Sequence, residues 1–445
     1  MKKMIALMLC LLLLPVFAAC GSEGGGSKAT EATGTQSALE PGNVKYTGDP
    51  VTLKWSATYL KPAVVKQYVD EFNATHDLIT VEASDATYGS VSDYTAALAM
   101  NIATGDDSYD IFSMSAADFN KYINSGVAYC LDGCLENPSD VKKYAMDAVM
   151  RDGHIYAYPA TNDVVGLYVN LDMLEGSGHT VDELATWDGM LKAGEDISKT
   201  YSNYGVLTHL GFGSGYPEFL WYCSMWSHGG DITTALDGTV TVTNPDKLAA
   251  AALDWKDLIM GPAGSTEFNN NIDYFVNGLC GMVITGQTAL SEMDDFLSGG
   301  YSFNWTFLPV PAAAEGAQQY SSLGGWYTVI NARTGNETAA IEFMNWLYFE
   351  SDYIADMCRA YYQVSPLTSA DAKLGDLNQT YFGWVREYID SGKMACKPEI
   401  AFDSEVLEEV GKMLSSVVFQ STGEEDARAY VDRFIEKTGA VIIEN

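Results

Sequence analysis

Residues 51–114 alternate between strand-like and helix-like segments, and this alternation constrains the fold more than any other feature. Segments 51–59 (VTLKWSATY), 78–83 (LITVEA) and 109–114 (YDIFSM) are rich in β-formers. Between them lie a helical pattern that begins at Pro62 and a second one over 94–105. Strand, helix, strand, helix, strand is the order of a parallel sheet with helices on both faces. The chain is therefore predicted to be α/β.

The first helix shows its buried face in the sequence. Proline is tolerated in the first turn of a helix, so Pro62 can begin one. Val65, Tyr68, Val69 and Phe72 then recur at helical spacing. We expect these four side chains to pack against the sheet.

The rest of the chain continues the mixed pattern. Two strand-like pieces in 154–174 flank residues 159–163, a segment suited to crossing between lobes. The further predicted elements are helices over 181–200 and 245–260, a turn and buried strand over 275–286, a proline-bounded segment at 307–311, a strand over 321–334, a helix over 337–351, and helices throughout the last 80 residues.

The N-terminal sequence is typical of an export signal followed by a flexible tether. Lys2 and Lys3 precede an apolar run that ends at Ala19, shorter than the roughly 20 residues needed to span a bilayer. The sequence FAAC, ending at Cys20, resembles a bacterial lipobox, so residues 1–19 are predicted to be a lipoprotein signal peptide and Cys20 to carry acyl chains such as palmitate. An ordinary signal peptide and an uncut anchor are the alternatives. Residues 20–48 are predicted to be a flexible tether with a reach of about 30 Å.

Composition narrows the classes of partner. The chain has 25 basic and 59 acidic residues and a net charge of −34. Nucleic-acid binding requires clustered Lys and Arg, so nucleic acid is excluded as a partner.

Six cysteines follow Cys20 and could be free thiols or up to three disulfides: Cys130, Cys134, Cys223, Cys280, Cys358 and Cys396. Cys130 and Cys134 lack a second ligand pair nearby in the sequence, and the five histidines show no metal spacing, so no metal site and no cofactor are predicted.

Several segments, in order, resemble the family 1 extracellular solute-binding proteins of ABC importers, whose best-known relatives bind maltose and other oligosaccharides. The resemblance runs from about residue 50 to residue 440. The segments that carry it are VTLKWSATY (51–59), VDEFNATHDLITVE (69–82), ALAMNIATGDDSYDIFSM (97–114), INSGVAYCLDGCL (123–135), RDGHIYAYPATNDVVGLYVNLDML (151–174), FVNGLCGMVITGQTAL (275–290) and SSLGGWYTVINARTGNETAAIEFMNWL (321–347).

The resemblance implies a periplasmic-binding-protein-like fold of two lobes with a ligand cleft between them. It implies three lobe crossings, near 160–165, 322–326 and 363–367. The N-terminal lobe is expected to comprise 49–162 plus 324–365, and the C-terminal lobe 163–323 plus 366–445. Ligands of open α/β sheets bind beyond the carboxyl ends of strands, which agrees with a site at these crossings.

A neutral sugar requires side chains that both donate and accept hydrogen bonds, together with flat aromatic platforms. The chain has 27 Tyr and 9 Trp residues, so aromatic side chains are available. Positions that match the family's cleft are Tyr59, Ser115, Asp118, Asn162, Asp163, Gly324, Gly325 and Trp326, with Tyr216, Glu218 and Trp221 expected from the second lobe. Many relatives have an aromatic residue after the Met-containing strand, where this chain has Gln287 and Thr288. This departure weakens the case for a maltodextrin-like ligand, and a different sugar or a shorter one fits as well.

The predicted function is capture of a sugar or oligosaccharide by hinge closure and its delivery to the permease of an ABC importer. The protein is expected to be a lipid-anchored monomer on the outer face of the cytoplasmic membrane. The alternatives are a binding lipoprotein for a non-sugar solute, such as a glycerol-phosphate ester or a peptide, and a surface glycosidase. No nucleophile elbow and no phosphate-binding loop occurs in the sequence, so an enzyme is not expected.

Overall fold

The strands of the protein form two large mixed sheets, a small three-stranded sheet and a short hairpin. The computed structural model describes residues 44–58, 60–84, 91–104, 108–267, 271–289, 303–375 and 381–444. The strands are β1 (Val51–Ser56), β2 (Ile79–Ser84), β3 (Ile111–Ser115), β4 (Met150–Arg151), β5 (His154–Ile155), β6 (Tyr158–Pro159), β7 (Asp163–Asn170), β8 (Tyr204–Leu207), β9 (Asp231–Thr234), β10 (Val240–Thr243), β11 (Cys280–Gly286), β12 (Trp305–Pro309), β13 (Gln319–Gly324), β14 (Trp326–Ile330), β15 (Met394–Pro398) and β16 (Val441–Ile443).

Helices cover both large sheets. They are α1 (Pro62–Thr75), α2 (Val91–Thr104), α3 (Phe119–Asn124), α4 (Lys143–Val149), α5 (Leu171–Gly176), α6 (Trp187–Tyr201), α7 (Tyr216–His228), α8 (Pro245–Met260), α9 (Asn271–Val276), α10 (Glu337–Asn345), α11 (Tyr353–Tyr361), α12 (Thr368–Ala372), α13 (Tyr381–Asp390), α14 (Ser404–Gln420) and α15 (Glu424–Thr438). Among the residues that the structure describes, no helix has the length and apolar character to cross a membrane.

The first sheet has the strand order β2-β1-β3-β14-β6. Its strand β1 runs parallel to both β2 and β3, as the sequence predicts. Helix α1 buries Val65, Tyr68, Val69 and Phe72, the four residues that the spacing predicts. Strand β14 runs antiparallel to β3, so it begins at the edge where β3 ends.

The second sheet has the order β15-β13-β7-β11-β8, and β12 also pairs with β7. All residues of β7 and β11 are buried, as expected for strands that are covered on both faces. Alternate residues of β7 belong to different cores: Tyr168 lies in the first, whereas Leu167 and Val169 lie in the second. This alternation is the period of two of a strand.

Two apolar cores stabilise the chain. The first includes Trp55, whose ring meets Phe343 edge-on at 5.7 Å. The second includes Trp187 and Trp255, whose rings stack at 6.4 Å. The helices α7, α8, α14 and α15 pack together around the second core.

The chain passes from one large sheet to the other within a few residues. Strand β6 ends at Pro159 in the first sheet, and β7 begins at Asp163 in the second. On the return, β13 ends at Gly324 in the second sheet and β14 begins at Trp326 in the first. The single residue Gly325 therefore joins the two sheets at that point.

The chain connects the two sheets a third time after helix α11. Helix α11 packs on α1, which covers the first sheet, whereas α13 packs on β12 and β15 of the second sheet. Asn162 pairs with Val364 in an isolated bridge, next to the first passage between the sheets. Leu367 pairs with Val141, and α12 packs against α11. Residues 366–372 thus lie against Val141 and helix α11. The division into lobes stays a prediction.

The prediction that the last 80 residues are helical was wrong in two places. Strand β15 pairs in parallel with β13, and β16 pairs in parallel with β10. Strand β15 has one buried residue, Met394, and the three residues of β16 are all exposed, so neither sequence carries an apolar periodicity. The six cysteines after Cys20 are all free thiols, four of them buried.

Candidate functional site

Several polar side chains lie at one edge of the second sheet. Strands β8 and β11 are parallel to each other, β13 and β15 are parallel to each other, and β7 runs antiparallel to β11 and β13. The carboxyl ends of these four strands therefore share an edge with the amino end of β7. The residues at this edge are Asp163, Thr208, His209, Gln287, Gly324 and Glu399.

The first sheet has a corresponding edge, which is separated from the edge of the second sheet along the chain by the single residue Gly325. There Ser115, at the end of β3, pairs with Trp326, at the start of β14. A 3₁₀ turn over Ala116–Asp118 follows, and its Ala116 amide donates to the Gly325 carbonyl over 3.1 Å. The two carboxyl edges thus meet where the chain passes between the sheets, which is where open α/β sheets bind ligands.

Gly325 allows two crossing segments to lie in contact. Its φ is +126°, and a Cβ atom there would lie 2.1 Å from the carbonyl oxygen of Thr161. The Trp326 amide donates to Thr161 Oγ1 over 3.1 Å, and the Trp326 carbonyl accepts from the amides of Ala160 and Thr161. These bonds fix both crossings relative to each other.

Two buried amide side chains at these edges have no hydrogen-bond partner in the described part of the chain. Asn162 and Gln287 are both fully buried, and both polar atoms of each side chain are unpaired. Thr208 Oγ1, after β8, is buried and unpaired as well. An unsatisfied buried polar group costs about 1–3 kcal/mol, so a ligand or a water molecule that pairs with these side chains would recover that cost.

Three carboxylates lie close enough to influence one another. Asp118 accepts hydrogen bonds from Ser115 Oγ over 3.1 Å and from Thr95 Oγ1 over 3.2 Å. Asp163 pairs with Gly324 in the sheet register. The Glu399 amide donates to the Leu323 carbonyl over 2.9 Å, at the end of β13. Burial, followed by the charges of Asp118 and Asp163, raises the pKa of Glu399 to about 8.

The raised pKa changes what Glu399 offers to a ligand. A carboxyl group with a pKa near 8 is mainly protonated at neutral pH and can donate as well as accept a hydrogen bond. The Asp118 and Asp163 carboxylates, by contrast, act as acceptors when ionised. The edge therefore presents both donors and acceptors without a positive charge.

Tyr216 places an aromatic ring beside this edge. Its hydroxyl lies 2.9 Å from Thr285 Oγ1 and accepts from the Gly286 amide over 3.0 Å, so the phenol end is anchored to β11. Its ring meets the ring of His209 at 4.7 Å. Burial lowers the pKa of His209 to about 4, so the imidazole is neutral at physiological pH. Tyr216 nevertheless remains exposed over 36% of its surface.

Trp326 lies at the edge and is only partly buried, in agreement with its predicted place beside a crossing. Its ring lies 6.3 Å from that of Tyr94 in a tilted arrangement. An indole in this position can offer a flat apolar face to a ligand. Its role as a stacking residue stays a prediction.

Two predicted site residues lie elsewhere. Glu218 is fully buried and accepts hydrogen bonds from the Gly213 and Gly215 amides at the N-terminus of α7. A carboxylate in this place satisfies amides that the helix itself leaves unpaired. Trp221, one turn further along α7, is fully buried in the second core. We do not include either residue in the candidate site. Tyr59, also predicted, lies outside the described residues.

The sequence reasoning missed Glu399, Thr208 and His209. Glu399 follows β15, a strand that the sequence pattern did not reveal. Thr208 and His209 follow β8 (Tyr204–Leu207), a run of only four residues. A short apolar run followed by a polar pair was the available signal. We call the following set the cleft residues: Ser115, Asp118, Asn162, Asp163, Thr208, His209, Tyr216, Gln287, Gly324, Trp326 and Glu399.

Comparison with known proteins places this chain in a family. A lactose-binding protein of Rhizobium radiobacter is 25% identical over 339 residues, which cover 72% of this chain and 75% of that protein. An arabinooligosaccharide-binding protein of Bacillus subtilis (strain 168) is 21% identical over 360 residues, or 77% and 76% of the two chains.

A solved structure gives the fold. The cyclic alpha-maltosyl-1,6-maltose binding protein of Arthrobacter globiformis superposes with a TM-score of 0.71 at 18% identity, covering 87% of this chain and 99% of that one. The predicted two-lobed α/β fold is thereby confirmed. The model of the family described as "Bacterial extracellular solute-binding protein" matches residues 67–379. The chain belongs to this family of bacterial extracellular solute-binding proteins.

Proposed function

We propose that the protein captures a neutral sugar or short oligosaccharide between its two large sheets and delivers it to the permease of an ABC importer. The observation that carries this proposal is the pair of buried, unpaired amides, Asn162 and Gln287, at the edges that also hold Trp326. An amide both donates and accepts hydrogen bonds, as does a sugar hydroxyl.

The chemistry of the edges favours a neutral ligand over a phosphate ester. None of the cleft residues is Lys or Arg, and His209 is neutral at physiological pH. A phosphate group requires a positive partner, and Asp118 and Asp163 would repel it. Sugar hydroxyls can instead donate to these carboxylates and accept from protonated Glu399. The names of the two sequence relatives, lactose-binding and arabinooligosaccharide-binding, point to the same class of ligand.

The residue after β11 bears on ligand length. Many relatives have an aromatic residue there, whereas this chain has Gln287 with its amide buried and unpaired. One stacking platform is thereby replaced by a polar group. We therefore propose a ligand shorter than a maltodextrin or of a different sugar type.

We propose that the lobes follow the two large sheets. The N-terminal lobe would hold 49–162, and residues from Trp326 through α12; the C-terminal lobe would hold 163–324 and the residues from α13 onward. The packing of α12 on α11 supports the placement of α12 in the N-terminal lobe. Hinge closure of such lobes around a ligand forms a closed state. The permease can distinguish this closed state from the open, ligand-free one.

We further propose that the mature chain is a monomer held by lipid on Cys20 at the outer face of the cytoplasmic membrane. The support is the apolar run that ends at Cys20 and the Gly- and Ser-rich sequence after it. The high negative charge would keep the folded part away from anionic lipid.

A thermal-shift panel tests the proposed ligand class. The mature protein is melted with lactose, arabino-oligosaccharides, maltodextrins, a glycerophosphodiester and a short peptide. A neutral sugar should raise the melting temperature by an amount that grows with the logarithm of its concentration once that concentration exceeds its Kd. A shift with only the phosphodiester or the peptide would contradict the proposal. Analysis of the incubated sugar for hydrolysis products separates a binder, which leaves the sugar intact, from a glycosidase.

A further inference from the structure

Three side chains of the types that bind transition metals come together away from the cleft residues. They are Cys130 and Asp132, in the segment before α4, and His154, at the start of β5. One possible ligand atom from each residue lies within 4.8 Å of the other two. Cys130 is partly buried, whereas Asp132 and His154 are exposed.

The backbone around this cluster is held by hydrogen bonds. The amide of Leu131, between Cys130 and Asp132, donates to the carbonyl of Ile155 over 2.7 Å. The Ile155 amide donates in turn to Asp132 Oδ1 over 2.8 Å. Asp132 thus has one oxygen fixed by the backbone, while its second oxygen lies 2.5 Å from His154 Nδ1.

The hairpin that carries His154 is also constrained. Strands β4 and β5 pair Arg151 with His154, and the turn between them has positive φ at Asp152 and Gly153. The imidazole therefore starts from a defined backbone position. A site whose ligands are already close loses less conformational entropy when an ion binds.

Thiolate, imidazole and carboxylate are together the ligands of zinc. A soft sulfur ligand disfavours calcium and magnesium, which prefer oxygen alone. A cysteine binds a metal ion as the thiolate, so binding at Cys130 releases the thiol proton to solvent.

We propose that Cys130, Asp132 and His154 form a binding site for Zn²⁺ or a similar divalent transition metal, with water completing the coordination. The site requires the reduced form of Cys130. Cys134, four residues along the chain, is buried and is not part of the cluster. A disulfide between these two cysteines would remove the sulfur ligand and abolish the site.

Cobalt binding to the reduced, mature full chain tests the site, since Co²⁺ reports a thiolate ligand by a charge-transfer absorption band. The band should appear with one ion per chain and disappear when Zn²⁺ is added. Cys130→Ser should abolish it. Asp132→Asn and His154→Gln should each weaken metal binding by about tenfold or more.

Cys134→Ser is the matched control, because it removes the other thiol of the same segment and should leave the band in place. Circular dichroism of each metal-free variant verifies that it folds. Absence of the band in the parent protein would overturn the proposal. So would a band that survives Cys130→Ser or one that depends on Cys134.

Discussion

Trp326 and Trp221 are both tryptophans that the sequence connects with the ligand, yet their surroundings differ. Trp326 is partly buried at a sheet edge, whereas Trp221 has no exposed surface and lies in the second core. An indole that stacks on a sugar would cover about 80–120 Å² of apolar surface, or about 2–3 kcal/mol before ordering costs. We expect about 1.5–2.5 kcal/mol to remain.

Trp326→Ala should therefore weaken sugar binding about 10- to 70-fold and change the melting temperature of the ligand-free protein little. Trp221→Ala is the control, and its cavity should cost about 3–5 kcal/mol of stability. Calorimetric titration with the best sugar of the panel, together with thermal melts, measures both effects. A large loss of stability in Trp326→Ala without loss of affinity would assign Trp326 to packing.

Glu399 should make the stability of the ligand-free protein depend on pH. Because its pKa is raised to about 8, the folded protein keeps a proton that the unfolded chain releases near the ordinary carboxyl value. The folded state binds more protons between these two values, so the free energy of unfolding falls as pH rises across that window. Above about pH 8 the free energy of unfolding has fallen by the full amount that Glu399 can cause.

Glu399→Gln should remove this fall in the free energy of unfolding at high pH, because the amide stays neutral at every pH. Urea unfolding at about pH 4 should give similar stabilities for the parent and the variant, whereas at about pH 9 the variant should be more stable by on the order of 1–4 kcal/mol. A difference that is the same at both pH values would show that Glu399 does not hold the extra proton.

At the scale of elements, the passage through Gly325 fixes how the two sheets are joined. A side chain there would require a φ of +126° and would meet the Thr161 carbonyl oxygen. Gly316 is the matched control, because its φ is +80° but nothing lies within 4 Å of an added Cβ. Gly325→Ala should lower the free energy of unfolding by about 1–3 kcal/mol more than Gly316→Ala does. Equal losses in urea unfolding would show that the contact with Thr161 is not rigid.

The periodicity of apolar residues predicted the elements that are long and buried on one face only. Helix α1 is such a case, since its four buried residues stand at helical spacing over 14 residues. Strand β15 is the opposite case, because only Met394 of its five residues is buried and its neighbours are partly exposed. Its partner β13 is more than 70 residues away in sequence, and pairing at such a distance leaves no local pattern.

The candidate site was predictable where it lies on the crossings. Asn162, Asp163, Gly324 and Trp326 flank glycine- or proline-marked segments that change sheets. Glu399 could not be found, because its place depends on the pairing of β15 with β13. The sequence could not show that Glu218 and Trp221 are buried, because an aromatic-rich helix has the same composition whether it lines a cleft or fills a core.

At the scale of the whole molecule, the proposed lipid anchor lies at Cys20, outside the described residues, whereas Val44, near the end of the predicted tether, is buried in the first core. Cys20→Ala should abolish incorporation of labelled fatty acid and release the protein from the membrane, because no acyl chain would remain to bury. Cys10→Ala, within the apolar run, is the control and should keep the label. Labelling of the Cys20 variant at the level of the parent would contradict lipid attachment at this residue.

We propose that one sugar lies between the two large sheets and contacts both. A crystal structure of the mature protein with the sugar that gives the largest thermal shift would show where that sugar binds. The sugar should lie at the carboxyl edges, with hydroxyls bonded to the amides of Asn162 and Gln287 and a ring face against Trp326. A sugar bound elsewhere, with both amides still unpaired, would contradict it.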